Sequence, residues 1–364
     1  VKFLFLSSYA NLVLDPASTR VSGGAELQVA LLARELAARG YDTVIAAGDI
    51  GQPDCQIFQG VKIRNGGRFQ TGGLADSLTA LPKIIRIFRE ERPDHVLVLG
   101  WTAWLFILWA LRPLFGFQLH FICGLDTEVN GGFRRDNPVR GGLFEFGMRH
   151  CDQRFAMTKL QERLFLEQGM PCALYRNLIL PRAEPRTAEK TIDFLWVARC
   201  QPIKQPHIFL DLVEAMPEAR FEMICPCEDA ALFESVRVRA EKLPNVIFHN
   251  GVPYREVQSH YDRARVFVNT STWEGWPNSF IQSGLASTAL LSLIVRPDTL
   301  FEDFPLGACA DGDRDRFFTL ARQWFGDRAA TDAMGRESER FVRELHDNAK
   351  ETDAFLAGLP AAKR

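Results

Sequence analysis

Short apolar runs recur along this chain at intervals that leave room for a helix between them. Lys2–Ser7 (KFLFLS), Thr43–Ala47 (TVIAA), His95–Leu99 (HVLVL), Ile192–Ala198 (IDFLWVA) and Ala264–Thr270 (ARVFVNT) are the clearest. Each is too short for a long helix and reads as a strand buried on both faces, the pattern of parallel sheets. Further strands are expected near 118–123, 153–157, 220–225, 245–249 and 289–295. Strands alternating with helices predict an α/β chain with parallel sheets and helices on both faces. A length of 364 residues is more than one core needs. Asn177–Arg186 (NLILPRAEPR), with two prolines and mixed charge, reads as a linker. The division is therefore expected near 180, with the tail from Asp315 to about Leu359 helical and broken at Gly326 and Gly335.

Composition narrows the function. Charged residues are 24% of the chain and the net charge is −2, so electrostatics do not favour nucleic acid. Eight cysteines lie scattered, and the one close pair, Cys225-Pro226-Cys227, has poor spacing for zinc. Most of them read as buried thiols in a reducing cytoplasm. No residue pattern points to a metal. The opening VKFLFLSSY is too short and too soon polar for a signal peptide, which makes a cytoplasmic protein the expectation. Trp101–Phe117 is nearly uncharged and holds three tryptophans. It reads as a helix of the first sheet. A second reading gives it a weak peripheral contact with the inner face of a membrane, helped by Lys83, Arg86, Arg89 and Arg92.

Three constellations carry chemistry. Glu274-Gly275-Trp276-Pro277-Asn278-Ser279 follows the run at 264–270 directly. Pro277 suits a first helical turn, and the amides of Asn278, Ser279 and Phe280 would then face out at a positive helix end fit for phosphate. Asn278 and Gln282, four apart, share that helix's face. Arg199 and Lys204 follow the run at 192–198, and two cations at a strand's C-terminal end suit a diphosphate. Gly23-Gly24-Ala25-Glu26 opens a helix ending near Arg39, where Gly40 suits the cap, within a βαβ unit. Glycines there admit a phosphate, although ordinary turn geometry explains a glycine pair equally well. The spacing is not the dinucleotide fingerprint, which disfavours a nicotinamide dehydrogenase.

Together these residues resemble the retaining glycosyltransferases of the GT-B architecture, in the family 4-like group. The resemblance adds Asn250-Gly251-Val252 and the Tyr261…Ala264-Arg265-Val266 approach to a strand, and covers nearly the whole chain. It implies two Rossmann-like domains facing across a cleft. Residues 1–180 would form the acceptor side, residues 181–344 would bind the nucleotide sugar, and a last helix from about 345 to 364 would cross back to the first domain. The donor would be a nucleotide-diphosphate sugar and the acceptor an unknown glycan, lipid-linked or small molecule. Arg199, Lys204 and the helix amides would neutralise the departing diphosphate, with no metal or other cofactor. Glu274 would contact hydroxyls of the transferred sugar, and Gly23, Gly24, Val252, Gly275, Trp276 and Pro277 would line the donor. Anomeric configuration would be retained, the leaving phosphate taking the acceptor's proton.

The chain departs from the family's pattern in three places. The family's second glutamate, separated from the first by seven residues, is Gln282 here. Its histidine before Gly-x-Asp is matched by Cys123, in Phe121-Ile122-Cys123-Gly124-Leu125-Asp126, which keeps Asp126 as an acceptor or sugar contact or as a loop cap. Ser283–Leu291 (SGLASTALL) replaces the usual glycine–proline stretch. These departures motivate an alternative, a transferase-like protein that binds a nucleotide sugar or joins an active partner without turnover. A GT-B epimerase or phosphorylase is the further competitor.

Overall fold

The computed structural model describes residues 1–18, 23–69, 74–180 and 189–361. These form two compact units. One is the chain up to Leu178 together with the residues from Asn348 onward, and the other is Ile179–Asp347. Residues 19–22 of the loop before Gly23, and 181–186 of the linker expected at 177–186, lie outside the described residues.

The first unit contains the strands β1 (Lys2–Ser7), β2 (Asp42–Ala47), β3 (Cys55–Phe58), β4 (Val61–Asn65), β5 (His95–Leu99), β6 (Gln118–Ile122), β7 (Gln153–Ala156) and β8 (Ala173–Leu174). They form one sheet in the order β3-β4-β2-β1-β5-β6-β7-β8, parallel except for the β3–β4 pair. The second unit contains β9 (Ile192–Val197), β10 (Phe221–Ile224), β11 (Val246–His249), β12 (Ala264–Asn269), β13 (Ala289–Ser292) and β14 (Gly307–Cys309). Their order, β11-β10-β9-β12-β13-β14, is parallel throughout. In each sheet the first strand of the unit lies inside the sheet, with the next strand or strands in the chain on one side and the later ones on the other. The connections therefore reverse direction at β1/β5 and at β9/β12, and loops leaving the carboxyl ends there leave room for a ligand.

The apolar runs supply the cores. Leu4, Val96 and Phe121 anchor the first, while Phe194, Trp196, Val268 and Leu291 anchor the second. The last helix, Asn348–Gly358, belongs to the first unit. Its buried Phe355 lies 4.8 Å from the ring of Phe155, and Glu351 accepts the Arg176 amide at 2.9 Å.

The tail differs from its expected breaks. Helices Arg314–Gly326 and Arg328–Leu345 part near Gly326, but Gly335 lies inside the second of them. A Cβ at Gly335 would overlap the Ser287 carbonyl, and one at Gly284 would overlap Val342. Gly335 thus provides close packing against the turn after the helix Asn278–Leu285, and the small residues of Ser283–Leu291 serve the same contact.

Trp101–Phe117 folds as the helix Trp104–Phe115, continuous through Pro113 and capped by Gly116 in the left-handed region. Trp104, Leu105, Leu108 and Leu111 are buried, and Leu114 is exposed. Among the described residues no helix is long and apolar enough to cross a membrane. Two of the basic residues proposed for lipid contact are paired within the unit, Lys83 with Asp49 at 3.4 Å and Arg86 with Asp54 at 2.7 Å.

Candidate functional site

In the second unit the reversal point lies between β9 and β12, and the loops leaving both strands are tied together there. Thr270 is the common node: its hydroxyl accepts from Trp196 Nε1 at 2.9 Å and donates to the Lys204 carbonyl at 2.6 Å. The Thr272 amide donates to the Ile203 carbonyl at 2.9 Å. A short turn, Pro202–Lys204, thereby carries the lysine ammonium over the end of β12.

Lys204 Nζ meets Glu274 Oε1 at 3.1 Å, and both side chains are mostly buried. The same oxygen accepts from Asn269 Nδ2 at 2.9 Å and from Ser271 Oγ at 2.6 Å. Asn269 also accepts the Ser271 amide at 3.1 Å, so its side chain clasps the turn between β12 and Glu274. Three donors on one oxygen fix the carboxylate, and among the described residues none of these contacts falls on Oε2. Sequence reasoning found Lys204 and Glu274 but missed Asn269 and Ser271. Both sit in the expected strand and its exit, where a polar pair closing an otherwise apolar run was the available signal.

Arg199 takes a different partner. Its Nη1 lies 3.0 Å from Glu228 Oε2, with both side chains well exposed. The two cations therefore share the mouth of β9 while pairing with separate carboxylates. An exposed pair of this kind is weak and exchanges readily for a stronger anion.

The helix Asn278–Leu285 has Pro277 as its N-cap, one position earlier than a first-turn placement. The three open amides expected here are reduced, because the Phe280 amide donates to the Pro277 carbonyl at 3.1 Å. Ser279 and Gln282 are partly exposed on this helix, and the Gln282 carbonyl accepts from Gln258 at 3.0 Å. Gly275 is buried in the connecting turn. Trp276 is a packing residue: its ring lies 5.3 Å from His346 and 6.2 Å from Phe341. Val252 lies partly buried in the loop after β11, beside Gly251 in the left-handed region.

In the first unit Gly23 is the N-cap of the helix Gly24–Ala38 with extended backbone, so neither torsion nor handedness demands glycine there. At the ends of β5 and β6 the structure shows a residue that the sequence did not disclose. Glu128 is fully buried and accepts the amides of Trp101 at 2.9 Å, Gly124 at 2.8 Å and Leu125 at 3.2 Å. It thus joins the loops after both strands. Burial pushes its carboxyl up to about 7, which the three amides only partly offset. The available signal was its position three residues after Leu125, at the opening of the helix Asp126–Val129, where a glutamate reaches back to the preceding amide.

Cys123 follows β6 directly. It is buried, its thiol donates to the Leu125 carbonyl at 3.3 Å, and burial raises it well above the ordinary thiol range, with Glu128 and Asp126 adding to the shift. It is a neutral interior group. Asp126 is partly exposed at the start of the helix Asp126–Val129, and its carbonyl accepts the Asn130 amide at 2.9 Å.

Residues 23–176 match the glycosyl transferase 4-like domain family. No curated protein matches the chain by sequence. Among solved structures, sucrose-phosphate synthase from Thermosynechococcus elongatus superposes with a TM-score of 0.79 at 17% identity, covering 98% of each chain. The UDP-forming α,α-trehalose-phosphate synthase from Burkholderia vietnamiensis gives 0.69 at 13% identity, over 98% of this chain and 99% of the other. The E. coli structure named for trehalose-6-phosphate and bound with UDP-2-fluoro glucose gives 0.67 at 11% identity, over 99% of each. The match to the family's domain lies in the first half of the chain, and over its whole length the fold is the GT-B architecture of two parallel-sheet α/β units shared with these structures.

Proposed function

We propose that the protein transfers a sugar from a nucleotide-diphosphate sugar to a hydroxyl-bearing acceptor, with retention of anomeric configuration and without a metal ion. The observation that carries this reading is the Lys204–Glu274 pair, held at the reversal point of the second sheet by Asn269, Ser271 and Thr270. It sets a cation and a fixed carboxylate side by side, the combination that a diphosphate bonded to a polyhydroxyl ring requires.

In this reading Lys204 and Arg199 take the diphosphate, with Arg199 giving up Glu228 on binding. The amides of Asn278 and Ser279 add the positive end of their helix. Charge on the diphosphate grows as the glycosidic bond breaks, so these groups act most strongly in the transition state. Glu274 holds hydroxyls of the sugar through the oxygen that Lys204 does not occupy. The acceptor oxygen forms the new bond on the face from which the diphosphate leaves, and its proton passes to the leaving phosphate. The two cations carry the charge a divalent ion would otherwise carry, and no step needs a glycosidase-type carboxylate pair. Gln282 contributes a neutral contact to the ribose. The UDP and UDP-sugar named for the structural neighbours make uridine donors the first to test.

The test is donor turnover with product analysis. Incubation with a nucleotide sugar and an acceptor mixture should yield a glycoside whose anomeric proton coupling matches the donor's, and EDTA should leave the rate unchanged. An inverted product, or loss of activity restored by magnesium or manganese, would overturn the mechanism. Donor binding without consumption by any acceptor would favour the non-catalytic alternative.

A further inference from the structure

The sequence shows no metal-ligand spacing, yet the second sheet brings three separated side chains to one point. Glu222 lies in β10, His249 closes β11, and His260 lies in the helix Tyr254–Arg263 that leads into β12. Parallel register pairs Ile224 with His249, so Glu222 and His249 share a face of the sheet. Glu222 Oε1 lies 2.9 Å from His249 Nε2 and 2.7 Å from His260 Nδ1. All three ligand atoms fall within 4.8 Å of one another. Glu222 and His260 are buried while His249 is partly exposed, which gives an ion an entry path.

A plain hydrogen-bonded network is the simpler account, and donor–acceptor bookkeeping argues against it. Arg263 Nη2 stands 3.0 Å from His260 Nδ1 and 3.2 Å from Glu222 Oε1. One imidazole nitrogen either donates to the carboxylate or accepts from the guanidinium; it cannot do both. One of the two contacts is therefore repulsive in either tautomer. Arg263 Nε is also buried with no hydrogen-bond partner among the described residues.

A cation at the convergence removes the conflict. It takes a lone pair from each imidazole and from Oε1, and frees Arg263 to settle on Glu222 Oε2, now 3.5 Å away. Ligating carboxylates ordinarily keep such an outer partner. Zinc bonds of about 2.1 Å set ligands about 3.4 Å apart in a tetrahedron, so Glu222 Oε1 needs to draw away from the two imidazoles by about half an ångström or slightly more.

We propose that Glu222, His249 and His260 form a divalent transition-metal site, a two-histidine, one-carboxylate set suited to Zn²⁺ with water as the remaining ligand. The ion would bind β10, β11 and the following helix together at the root of the loop that carries Val252. It uses none of the residues assigned to the diphosphate, so this proposal and the transferase reading stand or fall separately.

The experiment strips the full-length protein with chelator and titrates it with Zn²⁺ by calorimetry, alongside His249→Ala and His260→Ala. Co²⁺ absorption on the same samples reports the ligand type. The proposal expects a single zinc per chain and visible cobalt bands without thiolate charge transfer. It also expects affinity to fall by more than about 100-fold in His249→Ala, beyond the cost of losing an outer partner. Partly exposed His249 should be replaceable without unfolding, so that variant decides the matter if His260→Ala does not fold. Absence of zinc binding, unchanged affinity in His249→Ala, or cobalt–thiolate bands that assign the ion to cysteines would overturn it.

Discussion

The two sheets reverse their connections in the same way, at β1/β5 and at β9/β12, but the carboxylates beside those points are held differently. Glu274 is held by side chains: an ammonium, an amide and a hydroxyl, each on a rotatable stem. Glu128 is held by three backbone amides, and among the described residues no cationic side chain bonds to it. Side-chain partners can be exchanged for a ligand's oxygens without moving the main chain. Backbone partners cannot, because their positions are those of the loops themselves. The second sheet therefore presents groups that can act on a charged donor, whereas the first uses its carboxylate to set the shape of two loops.

This contrast can be broken most forcefully at Lys204. Lys204→Ala should lower turnover by about a hundredfold or more, the usual cost of removing a charge-stabilising donor. Arg199→Ala should act in the same direction, and near-normal activity in both variants would remove the site. Glu274→Gln should lower kcat well beyond any change in Tm. Equal losses of activity and stability would make Glu274 structural, like Glu128.

The next effect is on stability and belongs to Glu128. Its carboxyl is raised from 4.5 to about 7 in the folded protein. A raised acid binds its proton more tightly when folded, so its stabilising contribution is full below about pH 4.5 and is lost as pH rises through about 7. The loss is on the order of 3 kcal/mol. Denaturant unfolding at pH 5 and pH 8 should show this decline in the wild type and a flatter profile in Glu128→Gln. Parallel profiles would show that Glu128 does not titrate in this interval.

The smallest expected effect sharpens the comparison within the second unit. Gln282→Glu should lower the donor KM severalfold with little change in kcat, because a charged acceptor binds ribose hydroxyls more strongly and that contact does not change during bond breaking. A lower Tm with unchanged KM would place position 282 against the protein interior instead.

Much of the fold was legible because parallel strands buried on both faces leave uninterrupted apolar runs. All ten strands expected from such runs are present, nine of them within a residue or two and the run expected to reach 295 ending at Ser292. The strands overlooked were short or interrupted by polar residues: Cys55–Phe58 and Val61–Asn65 carry charged and polar residues, and Ala173–Leu174 and Gly307–Cys309 are too short for any period to show. Gly335 was misread as a break because composition cannot tell a helix end from a close helix contact. In the candidate site, Lys204 and Glu274 were readable from their places just after strands. The partner of Arg199 was not, since Glu228 lies after a different strand and only the sheet order brings the two together. The Glu222–His249–His260 cluster was hidden for the same reason.

The central claim is that a nucleotide-diphosphate sugar binds the second unit through Lys204. A thermal-shift panel of nucleoside diphosphates and their sugars on the wild type and on Lys204→Ala tests it most directly, because a ligand that binds only the folded state raises Tm by mass action. The account predicts selective stabilisation of the wild type by one nucleotide sugar and loss of most of that shift in the variant. No shift with any nucleotide sugar, or the same shift in both proteins, would contradict it.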